Sequence, residues 1–291
     1  MAYIAGDEHK QPSRPRPARM LPGICFEEQS KKKKKAVFAI PTPKGGRPHA
    51  KTLESLEKCL PLIEAAGWEH GMTQAIGNPY ISGARAEMTR RGMDAKASCM
   101  IYIDYDVSWD PEDMLKLLET PGEVVCGTYR AKTEDTNEIL YMGAVYTNED
   151  FTPVCREDGC IKAIAIPAGF LKVTESAIDR FMEAYPELCF GPQYALAVDL
   201  FNHGAHERLW WGEDYAFARR WRDCGGDCWI IPDLNLDHWQ GDFAYQGNFH
   251  QFLMSQPGGI NDPAKMEFKN VPQDDVQAWL AGQGERRDMA R

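Results

Sequence analysis

The chain has 291 residues, of which 43% are hydrophobic, and its 43 acidic and 33 basic side chains give a net charge of −10. This length allows one large domain or two small ones. The acidity argues against a surface devoted wholly to nucleic acid. No apolar run approaches the ~20 residues that a membrane span requires, and the polar N-terminus shows no signal-peptide core, so we expect a cytoplasmic protein with no membrane partner.

The nine cysteines are scattered and odd in number, so buried free thiols are favoured over a disulfide scaffold. Cys155/Cys160 and Cys224/Cys228 have spacings near those of zinc ligands, but each pair flanks a glycine turn. Structural zinc sites favour tighter knuckles, so zinc is the less favoured interpretation.

The two ends of the chain differ in composition from its centre. Residues 1–35 are rich in Pro, Arg and Gln and predict a basic, flexible arm, while residues 256–291 predict a polar tail. Residues 36–255 are therefore expected to form a single folded domain. The basic run Lys31 to Lys35 is more typical of a solvated linker, and contact with a phosphate-rich polymer is the alternative.

The first half of the domain alternates between strand and helix patterns. The predicted strands are 36–40, 68–76, 99–103 and 124–129, and the predicted helices are 53–67, 81–93 and 111–118. This β-α-β-α-β order predicts a parallel sheet with flanking helices.

The second half contains both antiparallel and helical patterns. Residues 140–165 predict hairpins, residues 174–185 and 212–224 predict helices, and 229–231 predicts the last strand, which leads to His238. We therefore predict an α/β fold with a mixed, mostly parallel central sheet between helices.

Two acids follow the most apolar of these strands. Asp104 and Asp106 come directly after Cys99 to Ile103, at the edge where open α/β sheets bind ligands. Two carboxylates at the end of a buried strand are costly to desolvate unless a cation meets them. Hard oxygen ligands suit Mg²⁺ or Mn²⁺ bound together with phosphates, so the pair predicts a metal–diphosphate site, with a surface turn as the weaker alternative.

Other short motifs fall at further strand ends and helix starts. In chain order the set is Pro41-Thr42-Pro43, Ser82-Gly83-Ala84-Arg85, Asp104-Tyr105-Asp106, Pro167-Ala168-Gly169-Phe170, Gly212-Glu213-Asp214-Tyr215 and Asp237-His238. Their order resembles that of GT-A (Rossmann-like) glycosyltransferases, most closely the family 2-like members. The resemblance implies a nucleotide-sugar half over about 36–130 and an acceptor half over about 131–255.

The resemblance also implies a donor and a metal. The donor would be a UDP-sugar, such as UDP-glucose, whose departing diphosphate is neutralised by Mn²⁺ or Mg²⁺. The implied metal ligands are Asp104, Asp106 and His238, with a satisfied core histidine as the alternative for His238. The implied donor-binding residues are Pro41, Thr42, Arg85, Asp104 and Asp106.

The acids at the start of the predicted helix 212–224 have two interpretations. Acidic side chains are favoured near a helix N-terminus by the dipole, which explains one of them and would suffice for both. The resemblance instead implies that Asp214 is the general base for the acceptor hydroxyl, with Glu213 in support. Transfer would then invert the anomeric carbon in a single displacement.

The resemblance implies that Gly169 and Phe170 lie on the acceptor side. Trp210 and Trp211 are expected there too, because adjacent tryptophans cannot both point inward and a flat ring suits a sugar or a base. The chain also resembles small glycosyltransferases of bacteriophage type, some of which modify hydroxymethylated pyrimidines in DNA. That resemblance makes DNA the favoured acceptor and host cytoplasm the expected location. Positive charge would come from Lys31 to Lys35 and from Arg85, Arg90 and Arg91.

Three other functions remain open. The acceptor could be a polysaccharide or a protein, or the domain could be a non-catalytic module that binds a nucleotide or sugar. A nucleotidyltransferase would also use paired acids and a metal, and Lys44-Gly45-Gly46-Arg47 faintly resembles the phosphate loop that it would need.

Overall fold

A computed structural model describes residues 34–149 and 152–255. Within these ranges the chain forms strands and helices around a large central sheet. The helices, with the bounds of each, are α1 Ala50–Ala65, α2 Ile81–Asp94, α3 Pro111–Glu119, α4 Glu175–Ala184, α5 Glu213–Asp223 and α6 Phe249–Ser255. The strands are β1 Lys35–Thr42, β2 Glu69–Ile76, β3 Cys99–Ile103, β4 Val107–Trp109, β5 Val124–Gly127, β6 Ala144–Val145, β7 Ile161–Ala165, β8 Phe170–Thr174, β9 Cys189–Phe190, β10 Ala197–Val198, β11 Gly204–His206, β12 Leu209–Trp211, β13 Cys228–Ile231, β14 Leu236–Gln240 and β15 Phe243–Tyr245.

The central sheet has the strand order β2-β1-β3-β8-β5-β13-β7-β6. Strands β1, β2, β3, β5 and β13 run in one direction, and β8 enters antiparallel between β3 and β5. Strand β7 also runs antiparallel to its neighbours β13 and β6. The predicted mixed, mostly parallel α/β sheet is therefore confirmed.

The alternation of side chains in β3 shows how the two faces of the sheet are filled. Met100 and Tyr102 face a core that includes Met88 of α2 and Phe217 of α5. Cys99, Ile101 and Ile103 face a second core that includes residues of α1 and α3. Because both faces are covered, β3 is buried along its whole length, as its unbroken apolar sequence predicts.

A smaller sheet positions the C-terminal part of the domain against the edge of the central one. Strand β4 pairs antiparallel with β14, which also pairs with β15. The register places His238 opposite Val107, the residue after Asp106. Pairing between distant segments therefore brings this histidine to the carboxyl end of β3.

Several predicted boundaries are confirmed and some are corrected. The patterns over 36–40, 81–93, 111–118 and 212–224 correspond to β1, α2, α3 and α5 within one to three residues. The prediction that 229–231 is the last strand is wrong, because β14, β15 and α6 follow it. Residues 1–33 of the predicted arm and the predicted tail from 256 lie outside the described residues. In the described ranges, no helix combines the length and apolar character needed to cross a bilayer.

Candidate active site

A cavity of about 340 Å³ opens at the carboxyl ends of β1, β2 and β3. Its wall includes the prolines at the end of β1 and residues from the first turns of α2. The lining residues are Pro41, Thr42, Pro43, Ala75, Asn78, Ile81, Arg85, Asp104, Tyr105, Asp106, Glu213 and His238. The fold therefore brings acids at the end of β3 and at the start of α5 close to a cation of α2, although these residues are far apart in the sequence.

Arg85 is the buried cation of the cavity, with 2% of its surface exposed. Its Nη2 donates to Oδ1 of Asp104 over 3.0 Å and its Nη1 donates to Oε1 of Glu213 over 2.9 Å. The ring of Phe201 lies 4.9 Å from the guanidinium carbon. Burial opposes the charge, but the two carboxylates outweigh it and raise the pKa of Arg85. The side chain is therefore a fixed positive charge between two acids.

Asp104 has partners on both carboxylate oxygens. Oδ1 accepts from Arg85, and Oδ2 accepts from the Tyr129 hydroxyl over 3.1 Å. Its backbone N–H donates to the carbonyl of Gly169 over 3.0 Å. A Cβ at position 169 would overlap both the Asp104 carboxylate and the Tyr129 hydroxyl, so glycine is required for this close approach.

Asp106 lies between two basic side chains. Oδ2 forms an ion pair with Nζ of Lys132, and Oδ1 lies 3.7 Å from Nε2 of His238. Burial alone would raise the pKa of the Asp106 carboxyl, but His238 and Lys132 outweigh burial and lower it. Asp106 is therefore an anion under ordinary conditions.

The orientation of His238 follows from its other ring nitrogen. Nδ1 lies 2.9 Å from the backbone carbonyl of Arg130, and a carbonyl oxygen only accepts hydrogen bonds. In the neutral ring the proton is therefore on Nδ1, and the lone pair of Nε2 faces Asp106. In this neutral tautomer a lone pair and a carboxylate oxygen face each other at 3.7 Å, and a cation between them would be favoured, whereas a protonated ring is itself the cation that lowers the pKa of Asp106.

The three residues predicted to bind a metal have different partners in the structure. Oδ1 of Asp106 lies 3.7 Å from Nε2 of His238, while both carboxylate oxygens of Asp104 are bonded, one to Arg85 and one to Tyr129. Over residues 34–149 and 152–255, no cluster of three or more His, Cys, Asp or Glu side chains is arranged around a metal position. A metal here would take its remaining ligands from water and phosphate oxygens, as Mg²⁺ commonly does.

The two acids at the start of α5 differ in surroundings. Glu213 lines the cavity and is bound by Arg85, whereas Asp214 does not line it and has no ion-pair partner within the described chain. Asp214 Oδ1 accepts from the backbone N–H of Tyr215 over 2.8 Å. Burial first, and then the charge of Glu213, raise the pKa of Asp214 to about 7. A carboxyl group with such a pKa can accept a proton near neutral pH.

The four residues predicted for the acceptor side have different positions. Gly169 lies beside Asp104, but Phe170 is fully buried in β8 against Trp109, so its side chain is not available to an acceptor. The register of β8 causes this, because Phe170 pairs with Ile103 inside the sheet. Trp211 is also buried, whereas Trp210 is 72% exposed, in agreement with the expectation that two adjacent tryptophans diverge.

The basic residues predicted to attract DNA lie away from the cavity or are already bonded. Lys34 pairs with Glu119, and Lys35 begins β1 at the end opposite Thr42, about 23 Å away at the usual rise of a strand. Arg90 and Arg91 donate to backbone carbonyls of Leu196 and Gln74 and pair with acids of their own helix. Residues 31–33 lie outside the described part of the chain.

Sequence reasoning missed two residues of the site, Tyr129 and Lys132. Both follow β5, whose carboxyl end lies at the same edge of the sheet as that of β3. A polar residue soon after a strand at that edge is the signal that could have found them. Their contacts with Asp104 and Asp106 depend on pairing across β8, which the sequence pattern does not show.

Comparisons with known proteins show little similarity. No protein-family model and no curated protein matches the chain. The solved structure of A197 from STIV is 15% identical, covering 74% of this chain and 91% of that chain with a TM-score of 0.43. The structure of S. aureus TarS 1-349 is 14% identical, covering 73% of this chain and 59% of that chain with a TM-score of 0.34. Similarity at this level assigns no activity, which has to be argued from the site.

Proposed function

We propose that the chain is a glycosyltransferase that moves a sugar from a nucleotide-sugar donor, of the UDP-sugar type, to an acceptor hydroxyl. The observation that carries the proposal is the arrangement at one sheet edge. Asp106 and His238, a pair that could hold a cation, line the same cavity as Arg85. Asp214, a carboxyl group with a pKa of about 7, is close enough to Arg85 for its charge to raise the pKa of that arginine. The resemblance of the motif order to family 2-like glycosyltransferases supports the same activity.

The charges of the site support a need for a metal. Among the described side chains, three carboxylates, Asp104, Asp106 and Glu213, are balanced by the two cations Arg85 and Lys132. An anionic diphosphate entering this site would raise the negative charge further. Mg²⁺ or Mn²⁺ held by Asp106 and His238 would supply the missing positive charge and stabilise the leaving group.

The residues of the chain would then act as follows. Arg85 fixes the position of Asp104, which would bind the donor's ribose, and Pro41 and Thr42, which line the cavity, would border the nucleotide. The acceptor oxygen attacks the anomeric carbon and its proton passes to Asp214. The bond between that carbon and the diphosphate oxygen breaks, and its electron pair leaves with the nucleoside diphosphate. A single displacement of this kind inverts the anomeric carbon.

For the acceptor, we propose DNA with hydroxymethylated pyrimidines as the first to test. Trp210, exposed three residues before Glu213, provides a flat face for an extruded base. The same face would suit a sugar ring, so polysaccharide and protein acceptors belong in the same assay. The lysines and arginines described above add no support for DNA, because they are bonded elsewhere or lie at the other end of β1.

The test is incubation of the protein with a panel of nucleotide-sugars, Mn²⁺ and the three acceptor classes, with products identified by mass. Transfer of a hexose with release of a nucleoside diphosphate supports the proposal. A nucleotidyltransferase would instead add a nucleotide and release pyrophosphate. Binding of donors with no product in any combination would indicate a non-catalytic module and contradict the proposal.

A further inference from the structure

We propose that Lys132 binds the diphosphate of the donor, an inference that rests on the proposed function. In the ligand-free structure its Nζ pairs with Oδ2 of Asp106, on the side of the carboxylate away from His238. The side chain of Lys132 is 29% exposed and that of Asp106 is 10% exposed. A cation is thus held at the rim of the cavity, beside the carboxylate proposed to hold the metal.

The backbone on both sides of Lys132 is fixed by the β14–β15 hairpin. The carbonyl of Arg130 meets Nδ1 of His238 at 2.9 Å, and the carbonyl of Thr133 accepts from the Tyr245 hydroxyl over 3.0 Å. The amide of Ala131 also donates to the carbonyl of Leu140 over 2.7 Å. These hydrogen bonds hold the backbone of Lys132 beside the site. An ion pair that forms by chance on a surface would not need such support.

Arg85, the other cation of the site, cannot take this role. It is buried and its two terminal nitrogens are held by Asp104 and Glu213. The ammonium group of Lys132 has one acid partner and a flexible four-carbon stem. A metal ion at Asp106 would compete with Lys132 for that carboxylate, and the ammonium group could then turn to a phosphate oxygen without movement of the backbone.

A structural ion pair would behave differently from a phosphate-binding lysine. If Lys132 only stabilises the loop, its removal would weaken binding of every ligand of the cavity or of none. If it binds phosphate, its removal would weaken binding of the nucleoside diphosphate and leave the nucleoside unaffected. Comparing the two ligands therefore separates the roles.

The experiment uses the full chain with Mg²⁺, first against UDP, GDP, ADP, CDP and TDP to find the diphosphate that the wild type binds best. That diphosphate and its nucleoside are then titrated by ligand-observed NMR against Lys132→Met, Lys132→Arg and Lys162→Met. Lys162 of β7 is the matched control, because its side chain is 34% exposed, close to the 29% of Lys132, and it forms an ion pair of 2.8 Å with Asp227.

We expect Lys132→Met to weaken diphosphate binding about tenfold or more, with nucleoside binding unchanged. Lys132→Arg should retain part of the affinity, and Lys162→Met should match the wild type. Equal diphosphate binding by wild type and a folded Lys132→Met variant, or equal loss of both ligands, would overturn the inference alone. If the wild type binds none of the five diphosphates, the inference and the proposed function fail together.

Discussion

Arg85 and Asp104 form an ion pair of 3.0 Å inside the cavity, and the arginine is almost completely buried. Because the same guanidinium also binds Glu213 at the start of α5, one side chain sets the spacing between the donor side and the proposed acceptor side of the cavity. Changes at Arg85 should therefore affect both stability and ligand binding.

Arg85→Met should lower the free energy of unfolding by about 3–5 kcal/mol, because it leaves Asp104 and Glu213 partly buried without their cation. Arg91→Met is the control, since Arg91 forms an exposed pair with Glu87 on the same helix, a type of pair usually worth up to about 1 kcal/mol. Urea denaturation measures both. Equal destabilisation by the two variants would show that the buried ion pairs of Arg85 contribute no more to stability than an exposed pair does.

Asp106→Asn should remove metal-dependent binding of the nucleoside diphosphate, because the substitution replaces a carboxylate ligand with a neutral amide. Calorimetry with and without Mn²⁺ measures the effect, and we expect a loss of about tenfold or more only when metal is present. Asp227→Asn is the control, because Asp227 is exposed and pairs with Lys162 of β7, and it should bind as the wild type does. Metal-stimulated binding retained by Asp106→Asn would exclude the proposed metal position.

Asp214→Asn should bind the donor normally but transfer the sugar about 10²–10⁴-fold more slowly, because the amide cannot accept the acceptor's proton. Steady-state rates and donor binding are measured on the same preparation. Transfer at the wild-type rate would show that Asp214 is not the general base. Glu213 would then be the next residue to test.

The pKa of Asp214 also predicts two effects of pH. The rate of transfer should fall as the pH drops below about 7, because the base becomes protonated. Since the folded pKa lies above the ordinary value of 3.8, this group's contribution to stability is fully present below pH 3.8 and is lost as the pH rises through about 7. Asp214→Asn has no carboxyl group to ionise and does not lose this stability. Its melting temperature relative to that of the wild type should therefore rise between pH 4 and pH 8. A pH-independent difference in thermal melts would contradict the shifted pKa.

Gly169→Ala should abolish transfer while the fold is retained, because the added methyl group displaces Asp104 or Tyr129. Gly83→Ala in α2 is the control, since a Cβ there meets neighbours at 3.5 Å or more, which is ordinary contact. Far-ultraviolet circular dichroism and transfer rates distinguish the two. Full activity of Gly169→Ala would mean that the close approach at Asp104 is dispensable.

Much of the fold follows from local sequence patterns. The apolar run 99–103 and the positions of Asp104 and Asp106 predict a buried strand with acids at its carboxyl end, and β3 has that form. The insertion of β8 between β3 and β5 could not be predicted, because its pairing partners are distant in sequence. That insertion buries Phe170 and brings Gly169 to Asp104.

The candidate site is less predictable than the fold, because side-chain pairing across loops has no local signal. Arg85 was predicted to bind the donor, but its pairing with Asp104 and Glu213 had no signal in the sequence. Lys132 reaches Asp106 only because the β14–β15 hairpin holds its loop. Periodicity describes which face of an element is buried, but it does not indicate which charges meet at a sheet edge.

The most direct test of the central claim is the release of nucleoside diphosphate from each donor of a nucleotide-sugar panel, measured with wild-type protein, Mn²⁺ and the acceptor mixture. We predict that at least one donor releases its nucleoside diphosphate and that Asp106→Asn and Asp214→Asn suppress this release. No release from any donor, or release that both variants retain in full, would contradict the assignment of this cavity as a glycosyltransferase site.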